Sequence, residues 1–389
     1  VRCGTGQGRC GHSPRAFALL AVLIFIFLLS MIAASLLFQS AADESATLAS
    51  TRSEQAWAAA MSGVAEVLRI APSAGGPELD WQDNPARFKH QQVFDDGADT
   101  WFFTVFSPAP ADSLAPVRYG LLDEASLPRK KTEDSEAPAD RVVRDPDLTW
   151  EGRPRTRIDD PSDPLPERPL PPEFTNYVAA LRASGTKVSH PAVVLDGSLT
   201  IKDARGVETT IPSGITKDEL PLVLDLFTAR MSNSHPALLN VNTASSLALA
   251  QVPGIDLPLA ESIVSTRNAI SPDRRRTLAW LVQEGTLDAE RFKAVAPHLT
   301  ARSYQFQCRV AGYAVPSGRF CVVELLIDTT TAKPQLLRLR DVTRLGFPLD
   351  FEKLKDSAET GPDQALAPFP GQSLREYPAA GVVLHLRHG

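Results

Sequence analysis

Residues 16–38 read AFALLAVLIFIFLLSMIAASLLF, an uncharged run that would extend roughly 35 Å as a helix, enough to cross a bilayer. Arg2, Arg9 and Arg15 precede it without an acid, and Asp43 and Glu44 are the first charges after it. The positive-inside bias therefore puts the N-terminus in the cytoplasm and the bulk of the chain outside. A cleaved secretory signal has an apolar core of about 7 to 15 residues. This run is longer and lacks an early small-x-small exit. No proline or glycine interrupts residues 17–62, and Leu48, Met61, Val64, Ala65 and Leu68 recur at mostly helical spacing beyond the apolar run. Pro72, followed by Gly75, Gly76 and Pro77, marks the stop. The pattern predicts a helix over 17–70, half in lipid and half outside. The outer half has two uses open to it: stacking on neighbouring copies or partner subunits, or packing on its own domain.

A chain of 389 residues has room for two or three units and a sizeable core. Four cysteines are too few for a disulfide scaffold, and seven histidines without HExxH or CxxC spacing give no metal site. A net charge of -6 with 43% hydrophobic residues excludes a wholly disordered chain and one that coats nucleic acid. Residues 71–122 form the first part of a sheet domain: TWFFTVF at 100–106 and VRYGLL at 117–122 are short strand candidates flanking a Pro-rich turn. Residues 123–172 are dense in proline and both charge signs, and are read as a long surface insertion with Asp123-Glu124 and Asp159-Asp160 as solvated loop charges. Residues 173–300 form a helical insert. It holds a short helix at 174–184, hairpin strands within 192–211, a helix over 217–231, and shorter helices at 245–251, 257–268, 277–283 and 288–295. From 303 the apolar period changes to two, and Pro-Ser-Gly separates two runs of a hairpin, with a third strand at 335–339. These C-terminal strands occupy 301–346, and the tail 347–389 reads as loop.

Gly6, Gly8 and Gly11 match GxGxxG by letter only, because no strand precedes them and a membrane span follows. No GxSxG, P-loop or scaffolded carboxylate pair is present, so no catalytic, cofactor or metal residue is assigned. The most informative stretch is LNVNTASSLALAQVPGIDLPLAESIVSTR at 239–267. Asn242 or Thr243 can cap a first helix, Pro253-Gly254 turns the chain, and Leu257, Ala260, Ile263 and Val264 give a second helix an apolar face. This is a helix-hairpin-helix pattern, carried by Asn240, Asn242, Thr243, Pro253, Gly254, Asp256 and Arg267.

That stretch is similar to the hairpin module of two families, the competence DNA receptors and general secretion pathway protein K, the large minor pseudopilin of type II secretion. Turn chemistry separates them. A module that grips DNA presents backbone N–H groups at a G-x-G turn to a phosphate. Here the second glycine is replaced by Asp256, whose carboxylate repels phosphate, and Arg274, Arg275 and Arg276 are read as a solvated loop. Nucleic acid is therefore disfavoured as a partner, and a membrane-tethered DNA receptor stands as the alternative. Resemblance to protein K extends to both ends of the chain. Residues 15–23, RAFALLAVL, resemble the leader junction RGVALLxVL, which implies a leader of residues 1–16 cleaved between Ala16 and Phe17, with Ala16 where glycine is usual. Mature position five, glutamate in most pilins, is Ala21, as in protein K. Ser303-x-x-Phe306 and YGLLDE at 119–124 resemble the family's sheet phrases.

The resemblance implies an α+β fold: a long N-terminal transmembrane helix, a small antiparallel pseudopilin-like sheet, and an inserted helical domain with the helix-hairpin-helix-like motif at 239–268. It implies a single-pass protein of the inner membrane that works by assembly rather than catalysis, with other minor pseudopilins and inner-membrane secretion components as partners and no small-molecule substrate. Family members can bind calcium in the helical part. No EF-hand-like loop is visible here, and no ligands are assigned. Cys308 and Cys321 lie on the two strands of the last hairpin, so a disulfide forms if the register pairs them, and two separate half-buried thiols result if it does not. Cys3 and Cys10 fall in the leader.

Overall fold

A computed structural model describes residues 14–74, 80–110, 113, 115–127, 145–202, 208–230, 238–331 and 333–350, with the backbone alone at 14–21, 45, 48, 49 and 72–74. Its longest element is α1, Pro14–Ala74, one unbroken helix of 61 residues that runs two residues beyond Pro72. Val22–Glu44 within it is long and apolar enough to cross a membrane, with none of its most apolar window buried. The side chains then change role. Ala56, Ala59, Ala60, Val64, Val67, Ile70 and Ala71 are buried against a sheet. The apolar face of the outer half is thus taken up by its own domain, the second of the two uses open to it.

The sheet is antiparallel. Its strands are β1 (Gln91–Asp95), β2 (Thr100–Pro108), β3 (Val117–Arg118), β4 (Leu122–Asp123), β11 (Gln305–Val315), β12 (Phe320–Asp328) and β13 (Gln335–Asp341), and a short helix α2 (Pro85–Phe88) precedes β1. Among the described residues the order is β1-β2-β11-β12-β13, with β3 on β2 and β4 on β11. Seven consecutive residues of β2 are buried, which explains why TWFFTVF shows no alternation: both of its faces are covered. β1 was not legible in QQVFD, a half-polar stretch that pairs with β2 through an irregularity between Gln92 and Phe94. The strand expected at 117–122 is split in two.

The helical module is inserted between β4 and β11. It holds β5 (Thr156–Arg157), α3 (Pro172–Ser184), β6 (Ser198–Lys202), β7 (Glu208–Pro212), α4 (Leu220–Leu226), β8 (Phe227–Thr228), β9 (Leu239–Asn240), α5 (Ser246–Leu249), α6 (Leu257–Ala269), α7 (Trp280–Gln283), α8 (Ala289–Val295) and β10 (Leu299–Thr300). The helix expected over 217–231 is shorter, because the chain extends at Phe227 to pair with β5. The described part of the charged insertion is not the loose surface segment its composition suggested. Ile158 is fully buried in the module's core beside Phe174 and Val223, and Arg182 ties the segment down through the carbonyls of Arg157, Ile158 and Asp163. Asp159, expected in solvent, is buried and paired with Arg157 at 2.9 Å. The tail from 351 onward lies outside the described residues.

Small residues set the distance between α1 and the sheet. A Cβ on Gly312 of β11 would stand 2.3 Å from the Ala60 nitrogen and 2.4 Å from the Ala56 carbonyl, and one on Gly63 would meet Val310 at 2.5 Å. Gly312→Val should therefore lower stability by about 3 kcal/mol, because the helix backbone has to retreat from a packed sheet. Chemical denaturation of the detergent-solubilised chain measures this, and an unchanged midpoint would count against such close contact.

Candidate functional site

The Asn-Val-Asn-Thr segment sits where the module meets the sheet. β9 pairs in parallel with β10, Asn240 opposite Thr300, and the Val241 N–H donates to the Thr300 carbonyl at 2.9 Å. At the centre lies Asp123 of β4, fully buried. It accepts the Ala125 N–H at 2.8 Å, Asn240 Nδ2 at 3.0 Å, and the hydroxyls of Thr243 and Ser303. The donors come from three places in the chain: the turn after β4, the Asn-Val-Asn-Thr segment that begins in β9, and the approach to β11. Asp123 was expected to be a solvated loop charge. Its burial shows instead a carboxylate satisfied by four donors, as a buried charge must be.

The other polar side chains of the segment turn inward too. Asn240 Oδ1 accepts the Asn242 N–H at 2.9 Å, and Asn242 Nδ2 donates to the carbonyls of Arg275 at 2.9 Å and Ala301 at 3.0 Å. Arg267, at the end of α6, donates through Nη1 to the carbonyls of Val241 at 3.0 Å and Ala244 at 2.5 Å. Neither Asn242 nor Thr243 caps the first helix. Ser245 does, accepting from the Ala248 N–H at 3.2 Å, because the two upstream side chains are committed to the joint. At the far end of the hairpin, Gly254 turns with φ +89°, which suits glycine, and Asp256 caps α6 by accepting the Leu259 N–H at 3.0 Å. The carboxylate thus occupies the helix N-terminus that a DNA-gripping hairpin would offer to phosphate. Asn240, Thr243 and Ser303 converge on Asp123, with Asn242 and Arg267 alongside, while Pro253, Gly254 and Asp256 stand apart from it.

No protein-family model matches the chain, and no curated protein matches it. Arg118, also buried, is the cation nearby; it donates to Ser107 Oγ and the Leu121 carbonyl, both at 3.1 Å, and burial pulls its guanidinium down to about 10 against the fields of Asp123 and Asp83. Burial pushes the Asp123 carboxyl above the usual range, opposed by its hydrogen bonds. Asp123, Asn240, Asn242, Thr243 and Ser303 are all buried. The geometry fixes one part of the protein to another.

Of the arginines read as a solvated loop, Arg275 is buried; Arg274 pairs with Glu284 at 2.6 Å, and the Arg276 guanidinium lies 5.5 Å from the Trp150 ring centre. The cysteine expectation resolves to free thiols. The register sets Cys308 opposite Leu325 and Cys321 opposite Gly312, so the two sulfurs share a face of the sheet but stand four residues apart, roughly 13 Å along the strands. A disulfide needs Cα atoms within about 7 Å. The backbone at Ala16, Phe17 and Ala21 belongs to α1, and their side chains lie outside the described residues. Asp123 and Ser303 stand 180 positions apart, so no local sequence pattern joins them.

Three outcomes follow for these residues. Asp123→Ala should destabilise the chain by about 3 kcal/mol, because three side-chain donors lose their acceptor in a dry site. The folded form of the wild type holds the Asp123 proton more tightly than the unfolded form, so stability contributed by this group is greatest at low pH and falls as pH rises above about 4. Asp123→Asn should flatten that slope in denaturation series taken at several pH values; an unchanged slope would show the carboxyl to be unshifted. Burial also pushes the Cys308 and Cys321 thiols up. Iodoacetamide should leave both unmodified in the native chain and alkylate both after denaturation without reductant, whereas a bridge would protect them in either state.

Proposed function

We propose that this chain is a minor pseudopilin-like subunit of a type II secretion pseudopilus, placed at or near the tip, where it helps start the fibre by assembly and not by catalysis. One observation carries the reading. A single helix is lipid-compatible along Val22–Glu44 and, without a break, becomes the packed spine of an antiparallel sheet farther on. A helix of that kind holds its sheet domain at a fixed height and orientation above the bilayer, which a subunit added to a growing fibre requires and a tethered enzyme does not. The resemblance of residues 15–23 and 239–267 to protein K supplies the family, the inner membrane, and the other minor pseudopilins as partners.

The burial of the outer helix narrows where subunits would meet. Packing between helices falls on the exposed stretch 22–44 and on the outward side of α1, where Trp57 is 39% exposed. Ala21 at mature position five fits a subunit with no neighbour above it, since a carboxylate in lipid without a partner costs a few kcal/mol. The DNA-receptor alternative gains no support from the hairpin, whose helix end is already capped by Asp256.

N-terminal sequencing of the membrane-extracted protein should begin at Phe17, and the protein should co-purify with other short-leader pseudopilins when these are co-expressed. Ala21→Glu should reduce that co-purification several-fold. Extraction of the chain as a water-soluble protein, or recovery without any helical partner, would overturn the reading.

A further inference from the structure

The module holds a cavity of about 350 Å³ whose described lining includes Arg155, Ser189, His190 and Arg230. That volume lies at the lower end of small-ligand sites. A smaller space of about 40 Å³ shares Arg155, His190 and Arg230 and adds Arg276 and Arg302. No acidic side chain is among the described residues lining either one. The acids that balance these arginines pair with them from outside the cavity wall: Asp147 with Arg155 at 3.2 Å, Asp145 with Arg230 at 2.8 Å, and Asp225 with Arg302 at 2.6 Å.

Each guanidinium keeps donors in reserve. Arg155 commits Nε to the Asp225 carbonyl at 3.1 Å and Nη1 to Asp147, and Arg230 commits only Nη1, to Asp145. Nη2 of both, and Nε of Arg230, have no acceptor among the described residues. His190 adds another donor. Its Nδ1 accepts the Ala192 N–H at 3.1 Å, which places the ring proton on Nε2, and burial with Arg230 and Arg155 alongside lowers its pKa to about 3, so the ring stays neutral. The rest of the described lining is mostly apolar, with Leu224, Phe227 and Pro297, and Thr228 as its one polar side chain.

We propose that this cavity binds a carboxylate borne on an apolar group, the two arginine forks and His190 Nε2–H holding the oxygens and the apolar wall taking the body. Planar forks suit a carboxylate through paired N–H bonds, and an apolar wall disfavours a free inorganic anion, whose whole surface needs water or donors. Two sources share this chemistry: a small free acid, or the carboxyl terminus of a peptide. The inference does not depend on the assembly reading, since a ligand could bind whether or not the chain joins a fibre.

Calorimetric titration of the full chain in detergent micelles tests it with three probes: benzoate, an acetylated tripeptide ending in phenylalanine with a free carboxyl, and the same tripeptide as its amide. The acid peptide should bind at least tenfold more tightly than the amide. Benzoate binding as well as the peptide assigns a small acid, and a clear preference for the peptide assigns a chain terminus. Arg230→Gln should weaken acid binding at least tenfold with the circular dichroism unchanged. If that variant does not fold, the acid-against-amide comparison on the unaltered chain decides alone. Equal binding of acid and amide, or no binding of any probe at millimolar concentration, would overturn the proposal.

Discussion

A helix backbone can lie directly on a sheet only where both surfaces give up their side chains, and here they do so at one place. Gly312 faces Ala56 and Ala60, and Gly63 faces Val310 and Phe103. The helix cannot turn about its own axis without driving a larger residue into that contact, so its rotation relative to the strands is fixed. Every residue of α1 toward the N-terminus inherits that setting, because no proline or glycine breaks the helix between Phe17 and Ser62. The sheet thus determines which side of the lipid-facing half points in which direction.

Asp123 performs the corresponding task for the inserted module. A buried carboxylate is costly unless its oxygens are filled, and the side-chain donors that fill it come from two separate stretches of chain, 240–243 and Ser303. Loss of one partner leaves the others facing a misfitted site. The joint therefore specifies how the module docks on β4 and β11 more sharply than apolar contact could, since apolar surfaces tolerate sliding and hydrogen bonds do not.

Much of this was readable in the amino-acid order, and the failures have physical causes. The membrane-compatible run, the hairpin of β11 and β12, and the helices α6 and α8 follow from local periodicity, which neighbouring residues determine, whereas their Asp256 and Asp288 caps were not read. Asp123 was misread because its surroundings in sequence are charged and Pro-rich, whereas its surroundings in space come from residues 240–303. The same holds for Ile158 and Asp159, single residues buried by a distant core within a segment of solvent-like composition. Cys308 and Cys321 were correctly placed on adjacent strands, but the pairing depends on where the turn falls, and composition does not determine that. For the functional segment, the NVNT residues were singled out while their destination was not, because capping and long-range bonding use the same side chains.

The module leaves the sheet at Asp123 and returns at Phe306, and these two residues are directly opposite one another on paired strands. Its two attachment points are therefore as close as sheet geometry allows, and its length places no demand on the strands around it. Such a graft can be enlarged, trimmed or exchanged over generations while the platform beneath keeps its form, leaving the spine and the appendage free to diversify at different rates.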